Sequence, residues 1–282
     1  MRIAYGTYAM PTVALEDAIP ALADIGYDGV EIAIGPRHAG SLPAELTRMR
    51  RGELRRMLDD HGLGVPALFA PGRHVLTEDD GEHRANLEFL GRLAELARDL
   101  GVADPPVLAL GFGGTTAEWD DVKHTLLGRL RDYDALAQEL DVIVAGEAHV
   151  NAAVDRSERA LWLIRRVGSA RVRLHFDMVH FFLAGELPDE AVPRLLPITA
   201  HTHVMDARWH PDGSFDLLLL GDGELDGTAY VRAMHAAGWK GFITLEVSVQ
   251  LWSQADYDPI AAAEKSYRAL DLAFQAAGVS RG

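Results

Sequence analysis

Residues 142–147 read VIVAGE, and three later runs repeat the design: VRLHFD (172–177), ITAHTH (198–203) and FITLE (242–246). Each is a short apolar run of the kind that forms a buried parallel strand. Each stops at a residue able to bind a divalent cation: Glu147, Asp177, His203 and Glu246. In a closed parallel sheet every strand points the same way, so the C-terminal tips converge on one mouth. A single charged tip is ordinary, because a strand-end carboxylate also serves as a helix N-cap or as half of an ion pair. Four in succession point to one site assembled from four strands. Three inward carboxylates without a cation would repel one another and take up protons.

Outward from these runs the pattern continues to both ends of the chain. Strand-length segments lie near 2–6 (RIAYG), 28–34 (DGVEIAI), 64–70 (GVPALFA) and 106–111 (PVLALG). Helical patterns fall at 43–61, 80–100, 117–140, 156–167, 226–237 and 259–277. Eight strands interleaved with helices in 282 residues predict an α/β chain closed into a (β/α)8 TIM barrel, one domain over 1–282. A doubly wound open sheet is the alternative, but no GxGxxG follows the first strand. In DIGYDGVE (24–31) and AAGWKGFITLE (236–246) a glycine stands where a helix must end and reverse into a strand. The longest connection, about 205 to 225, follows the seventh strand and is expected to lie over the catalytic face.

The formal charge of −15 argues against nucleic acid as a partner, since such binding draws on clustered Lys and Arg. Polyanionic substrates are disfavoured too, unless a local arginine pocket overrides the global field. No apolar stretch approaches the roughly 20 residues that span a bilayer, so no membrane partner is expected. The strand-like start MRIAYGTYAM lacks a signal segment, and the expected location is cytoplasmic. With no cysteine, any metal must be held by His, Asp and Glu. Three carboxylates and one imidazole suit Mn²⁺, Mg²⁺ or Co²⁺ in a roughly octahedral shell, with Zn²⁺ as second choice.

GEAHVN, HFDMVHFFLAGE, HTHVMDAR and LGDGELDGTAYVRAMHAAGWKGFITLE (146–151, 175–186, 201–208 and 220–246) are similar to segments of the sugar isomerase/epimerase superfamily with the xylose-isomerase-like barrel. That group includes ketose 3-epimerases, inosose isomerases and dehydratases, 3-dehydroshikimate dehydratases and the endonuclease IV branch. The resemblance spans nearly the whole chain and is most specific in the last four strands. It implies that Glu147, Asp177, His203 and Glu246 ligate the metal, with Mn²⁺ expected, and that His180 hydrogen-bonds a substrate hydroxyl or carbonyl. The chain departs from the ketose 3-epimerases after its first ligand, where it reads Glu147-Ala148-His149. An E-x-H segment looks more like members, such as the dehydratases, in which an imidazole beside the metal acts as general base.

The chemistry implied is proton abstraction next to a carbonyl of a small sugar, cyclitol or keto-polyol, through a metal-stabilised enediolate. The candidate bases are His149, Glu147 and Glu246. Return of the proton gives an epimerase or isomerase. Loss of a β-hydroxyl gives the alternative, a dehydratase, and cleavage of a keto-glycoside gives a lyase; both use His149 as base. The metal ligands do not choose among these outcomes. His149 also reads as an exposed loop histidine or a partner of a ligand. Arg208 is a candidate substrate contact or a surface partner of Asp206. Trp209 and Trp252 are candidates for stacking on a sugar ring or capping the pocket, whereas Trp162 and Trp239 read as packing and turn anchors. Glu31 reads equally as a substrate contact and as a polar group inside the barrel. His38, Arg73 and His74 occupy early loops where specificity is often written. Homo-oligomerisation is expected only by analogy with other barrels. Two further classes compete, abasic-site repair and a non-catalytic sugar-binding barrel. The negative charge opposes the first, and retention of all four ligands opposes the second.

Overall fold

A computed structural model of the chain describes residues 1–77 and 79–282. Eight parallel strands close in the order β1-β10-β7-β6-β5-β4-β3-β2. They are β1 (Arg2–Gly6), β2 (Gly29–Ala33), β3 (Leu68–His74), β4 (Val107–Gly111), β5 (Ile143–Glu147), β6 (Val172–Asp177), β7 (Thr199–Val204) and β10 (Phe242–Leu245). The barrel is therefore the expected (β/α)8 architecture, closed where β1 meets β10 along Arg2↔Phe242 to Tyr5↔Leu245. The open-sheet alternative is excluded. No described helix is long and apolar enough to cross a membrane.

The helices cover the barrel because one face of each is apolar. Helix α3 (Asp80–Leu100) buries Phe89, Leu90, Leu93, Ala94, Leu96 and Ala97, and Asp79 caps its start by accepting from the Glu82 N–H. Helix α10 (Pro259–Ala277) starts on the Asp258 cap and ends at Gly278 in the left-handed region. The two glycines singled out in the sequence do stop helices: Gly26 has φ 110° and Gly238 φ 83°. Trp162 packs edge-on against Trp119, and the Trp239 indole N–H donates to the Phe242 carbonyl at 2.9 Å.

Apart from the short helices after β6 at Met178–Leu183 and Pro188–Leu195, which the sequence patterns do not place, three elements differ from the sequence reading. Helix α1 (Leu15–Ile25) fills the first crossover despite Pro20 in its interior. Strand β3 runs four residues later than expected, through Pro71 and Gly72 to His74, with an irregular register between Phe69 and His74. Val65, placed in that strand by its apolar run, makes an isolated bridge to Val102 instead. Third, the connection after β7 is a hairpin, β8 (Asp206–Trp209) against β9 (Phe215–Leu218). Buried Asp206 pins it. One carboxylate oxygen accepts from the N–H groups of Ala207 (2.8 Å) and Leu225 (2.9 Å), the other from Gly221 (2.9 Å) and Gly223 (3.0 Å).

Candidate metal centre

The four tips do meet. Glu147, Asp177, His203 and Glu246 each offer a ligand atom, and these atoms all lie within 4.8 Å of one another. Asp177 and His203 are 0% exposed, Glu246 6% and Glu147 7%, so water supplies little screening. Strand pairing enforces the meeting: Asp177 sits opposite His203 and Glu147 opposite His175. Glu246 lies one residue past β10, its N–H donating to the Val204 carbonyl at 3.2 Å. Asp177 has a second task, since its Oδ1 accepts from the Val179 N–H at 3.1 Å and starts helix α6 (Met178–Leu183). Its Oδ2 is buried with no hydrogen-bond partner.

Glu31 reaches the site from below, across the barrel. Its Oε2 accepts from His203 Nε2 at 2.8 Å and from His201 Nε2 at 2.5 Å. A carboxylate only accepts, so both Nε2 atoms carry the proton. In the neutral His203 ring the lone pair is then on Nδ1, which stands 3.1 Å from Glu246 Oε2 without a hydrogen bond. A lone pair facing a carboxylate is repulsive unless a proton or a cation lies between them. The close approach of Glu31 depends on Gly6, where a Cβ would stand 2.9 Å from Glu31 Oε1.

The titration behaviour follows from this crowding. Burial first, and Glu246 second, push Glu147 well above the usual carboxylate range. The same two causes raise Asp177 to about 8. Burial also opposes charge on His203, but Glu31 and Glu246 outweigh it and hold the imidazole well above its ordinary value. Burial would raise Glu31, yet His203 and His201 prevail and hold it at about 2. Burial, with His149 and His203 adding to it, drives His180 well below the imidazole range, so that ring is neutral. A cluster that stores protons among three carboxylates, with an orphaned Asp177 oxygen and an unpartnered His203 nitrogen, fits a divalent cation.

A cavity of about 190 Å³ opens onto the cluster, with Glu147, Glu246, His149, His180 and His74 on its wall. The ring of His149 is exposed and stands 3.8 Å, centroid to centroid, from that of His180. His149 Nδ1 is 2.6 Å from the Val150 carbonyl, which can only accept, so the free lone pair is on Nε2. His180 Nε2 is 3.4 Å from Asp177 Oδ2. Tyr8, Phe69, Met205, Leu217 and Ser248 complete much of the wall. The sequence reading did not single these five out. Met205 immediately precedes the hairpin and Leu217 lies in its second strand, in a segment that reads as a loop from sequence, and Tyr8 lies in a single turn after β1.

The other sequence candidates divide. Glu31 takes the interior role of the two proposed for it. Arg208 is exposed on β8 and donates to the Asp222 carbonyl, while Asp206 is occupied by backbone N–H groups, so the expected Arg208–Asp206 pair does not form. Trp209 packs edge-on against Phe215 on the same hairpin, and neither Arg208 nor Trp209 lines the cavity. Trp252 stands edge-on to Tyr8 at 5.4 Å.

The sequence profile described as the xylose isomerase-like TIM barrel matches residues 19–271. The chain belongs to that family. Comparison with curated proteins returns no sequence match. Among solved structures, the barrel is similar to the IOLI protein with a bound zinc atom, at TM-score 0.78 and 19% identity, covering 98% of this chain and 99% of that one. It is similar to L-ribulose 3-epimerase at TM-score 0.76 and 19% identity, covering 98% and 95%. It is also similar to 3-keto-D-glucoside 4-epimerase from E. coli at TM-score 0.74 and 18% identity, covering 96% and 99%. At these identities the likeness establishes the xylose isomerase-like fold, and the chemistry must be argued from the site.

Proposed function

We propose that this chain is a divalent-metal-dependent isomerase or epimerase of a sugar, cyclitol or related keto-polyol, acting by proton transfer next to a carbonyl. The carrying observation is the buried cluster of Glu147, Asp177, His203 and Glu246 at the floor of a cavity walled by His149 and His180. Mn²⁺ is the preferred ion for three oxygen donors and one nitrogen; a zinc-bound relative of the same fold supports a divalent metal without choosing it. When bound, the ion supplies Lewis-acid polarisation of a carbonyl and its neighbouring hydroxyl.

The chain's own residues supply the rest. Glu147 and Glu246 reach the cavity wall and are candidate acceptors of the α-proton, one on each side of the cluster. His180, neutral and fixed beside Asp177, offers an imidazole to a substrate hydroxyl. Abstraction by one carboxylate and return by the other inverts a carbon. Return to the adjacent carbon moves the carbonyl.

A second reading is a dehydratase or keto-glycoside-cleaving lyase. It is favoured by His149, whose Nε2 lone pair is free at the wall and suited to act as a base. Solvent deuterium exchange followed by NMR across ketoses, inososes and keto-glycosides, with Mn²⁺ present, tests both readings. Exchange at a carbon next to the carbonyl is expected, with loss of water or aglycone marking the second reading. Unaltered turnover by chelated, metal-free protein would defeat the metal requirement.

A further inference from the structure

A second chamber, of about 360 Å³, adjoins the metal-side cavity, and Tyr8, Pro71 and Gly72 line both. The inner space alone lies below the roughly 300–1,000 Å³ usual for ligand pockets, whereas the outer chamber falls within that range. Resting on the reading of the metal site given above, we infer that the substrate is a two-ring molecule. Its keto-sugar ring is held at the metal cavity, and a second, hydroxyl-bearing ring occupies the outer chamber.

The wall chemistry argues for hydroxyls over an anion. Arg37 and Arg73 present guanidinium donors, and Glu82 presents a carboxylate in the same chamber. An anionic group would have to approach that carboxylate. Arg73 is oriented by Asn86, to whose Oδ1 it donates at 2.5 Å, and lies 4.0 Å over the Phe89 ring. Arg37 stands 5.4 Å from the Trp252 ring. Buried His38 has its Nε2 3.2 Å from the Tyr8 carbonyl, an acceptor, which leaves a lone pair on the unpartnered Nδ1. His38 lines the chamber, while this atom is itself buried, 3.6 Å from where a Cβ on Gly35 would lie. The guanidinium donors and the Glu82 acceptor thus share the chamber with the apolar side chains of Ile34 and Phe89. A hydroxyl both donates and accepts, and a sugar ring adds an apolar face; carboxylate and phosphate oxygens only accept. Pro71 and Gly72, in the part of β3 that runs past its expected end, line both spaces.

The test compares a cellobiose bearing a ketone on its non-reducing ring with the corresponding free keto-glucose, using Mn²⁺-loaded protein and deuterium exchange as readout. A KM at least tenfold lower for the disaccharide is expected. Gly35→Val, which narrows the chamber between Pro71 and His38, and Arg37→Ala, a change at an exposed side chain, should each erase most of that preference. Equal KM values for the two sugars, or a preference that survives both variants, would overturn the inference. If neither sugar exchanges, the reading of the metal site is what fails for these compounds. Calorimetric titration with unoxidised cellobiose and glucose then decides the chamber by itself. Tighter binding of cellobiose that is lost in Gly35→Val supports it, and no difference between the two sugars overturns it.

Discussion

Replacing Glu31 by Gln removes a charge that never touches the cavity yet holds His203, one of the proposed metal ligands. Glu31 accepts from two imidazole Nε2 atoms at 2.5 and 2.8 Å, and it is completely buried. Hydrogen bonds to charged groups contribute about 1.5–3 kcal/mol each. The amide keeps one oxygen acceptor but turns an N–H donor toward the second ring, so one of the two contacts is lost or inverted. His203 is then free to rotate or to carry its proton on Nδ1, the atom that must face the cation. Loss of such an outer partner typically lowers metal affinity about 10–100-fold, or about 1.4–2.7 kcal/mol. Competition of Mn²⁺ against a chelating dye measures this directly, while KM at saturating metal should stay near the wild-type value. Acid stability gives a second check. The folded-state pKa of about 2 lies below the unfolded value of about 4.3, so Glu31 stabilises above the latter and loses that contribution as pH falls toward about 2. In Glu31→Gln that loss is absent. Unchanged Mn²⁺ affinity together with a raised KM would refute the reasoning and return Glu31 to a substrate-contacting role.

Four further outcomes are expected. Glu246→Gln should abolish turnover and weaken Mn²⁺ binding, with the thermal midpoint of the chelated protein no lower than wild type because one crowding carboxylate charge is gone; calorimetry and metal analysis check both. His149→Ala should lower kcat about 10²–10⁴-fold if it is the base, with bound metal unchanged by elemental analysis. Asp177, raised to about 8, Glu147 and His203 all keep protons longer in the folded state than in the unfolded chain. Below about pH 6.5 buried histidines such as His175 and His180, neutral in the fold but protonated when unfolded, work the other way, so the stability of the chelated protein should fall as pH rises from about 6.5 to about 8, while Mn²⁺ affinity rises with deprotonation of the ligands; midpoints measured across that range test the sign. Asp206→Ala leaves four backbone N–H groups without their shared acceptor and should cost about 3 kcal/mol or more, read from urea unfolding.

The four metal-binding candidates were legible because their signal is local. Each closes a strand, and strand period fixes which side chains share a face. Helices α3 and α10 were legible for the same reason, through caps and apolar stripes contained in their own segments. The role of Glu31 was not, because its partners His201 and His203 lie 170 and 172 residues away and only barrel closure brings them together. Strand β3 was misplaced because the apolar run around Val65 outweighed Pro71 and Gly72, which pattern reading treats as a turn. The hairpin escaped because its strands are four residues each, too short for alternation to declare itself. Its turn, Pro211-Asp212-Gly213 with Gly213 at φ 84°, reads equally well as part of a loop.

The way Asp206 secures that hairpin has a consequence for how this barrel can change its specificity. All four groups it grips belong to the main chain, so the anchor reads the path of the loop and not its side chains. Most of the segment from Arg208 to Leu219, including Leu217 at the cavity wall, is free to vary in sequence without releasing the clamp. The hairpin is thus an interchangeable cassette on a fixed mount, able to present new surfaces to the cavity while the proposed metal ligands stay where the strands put them.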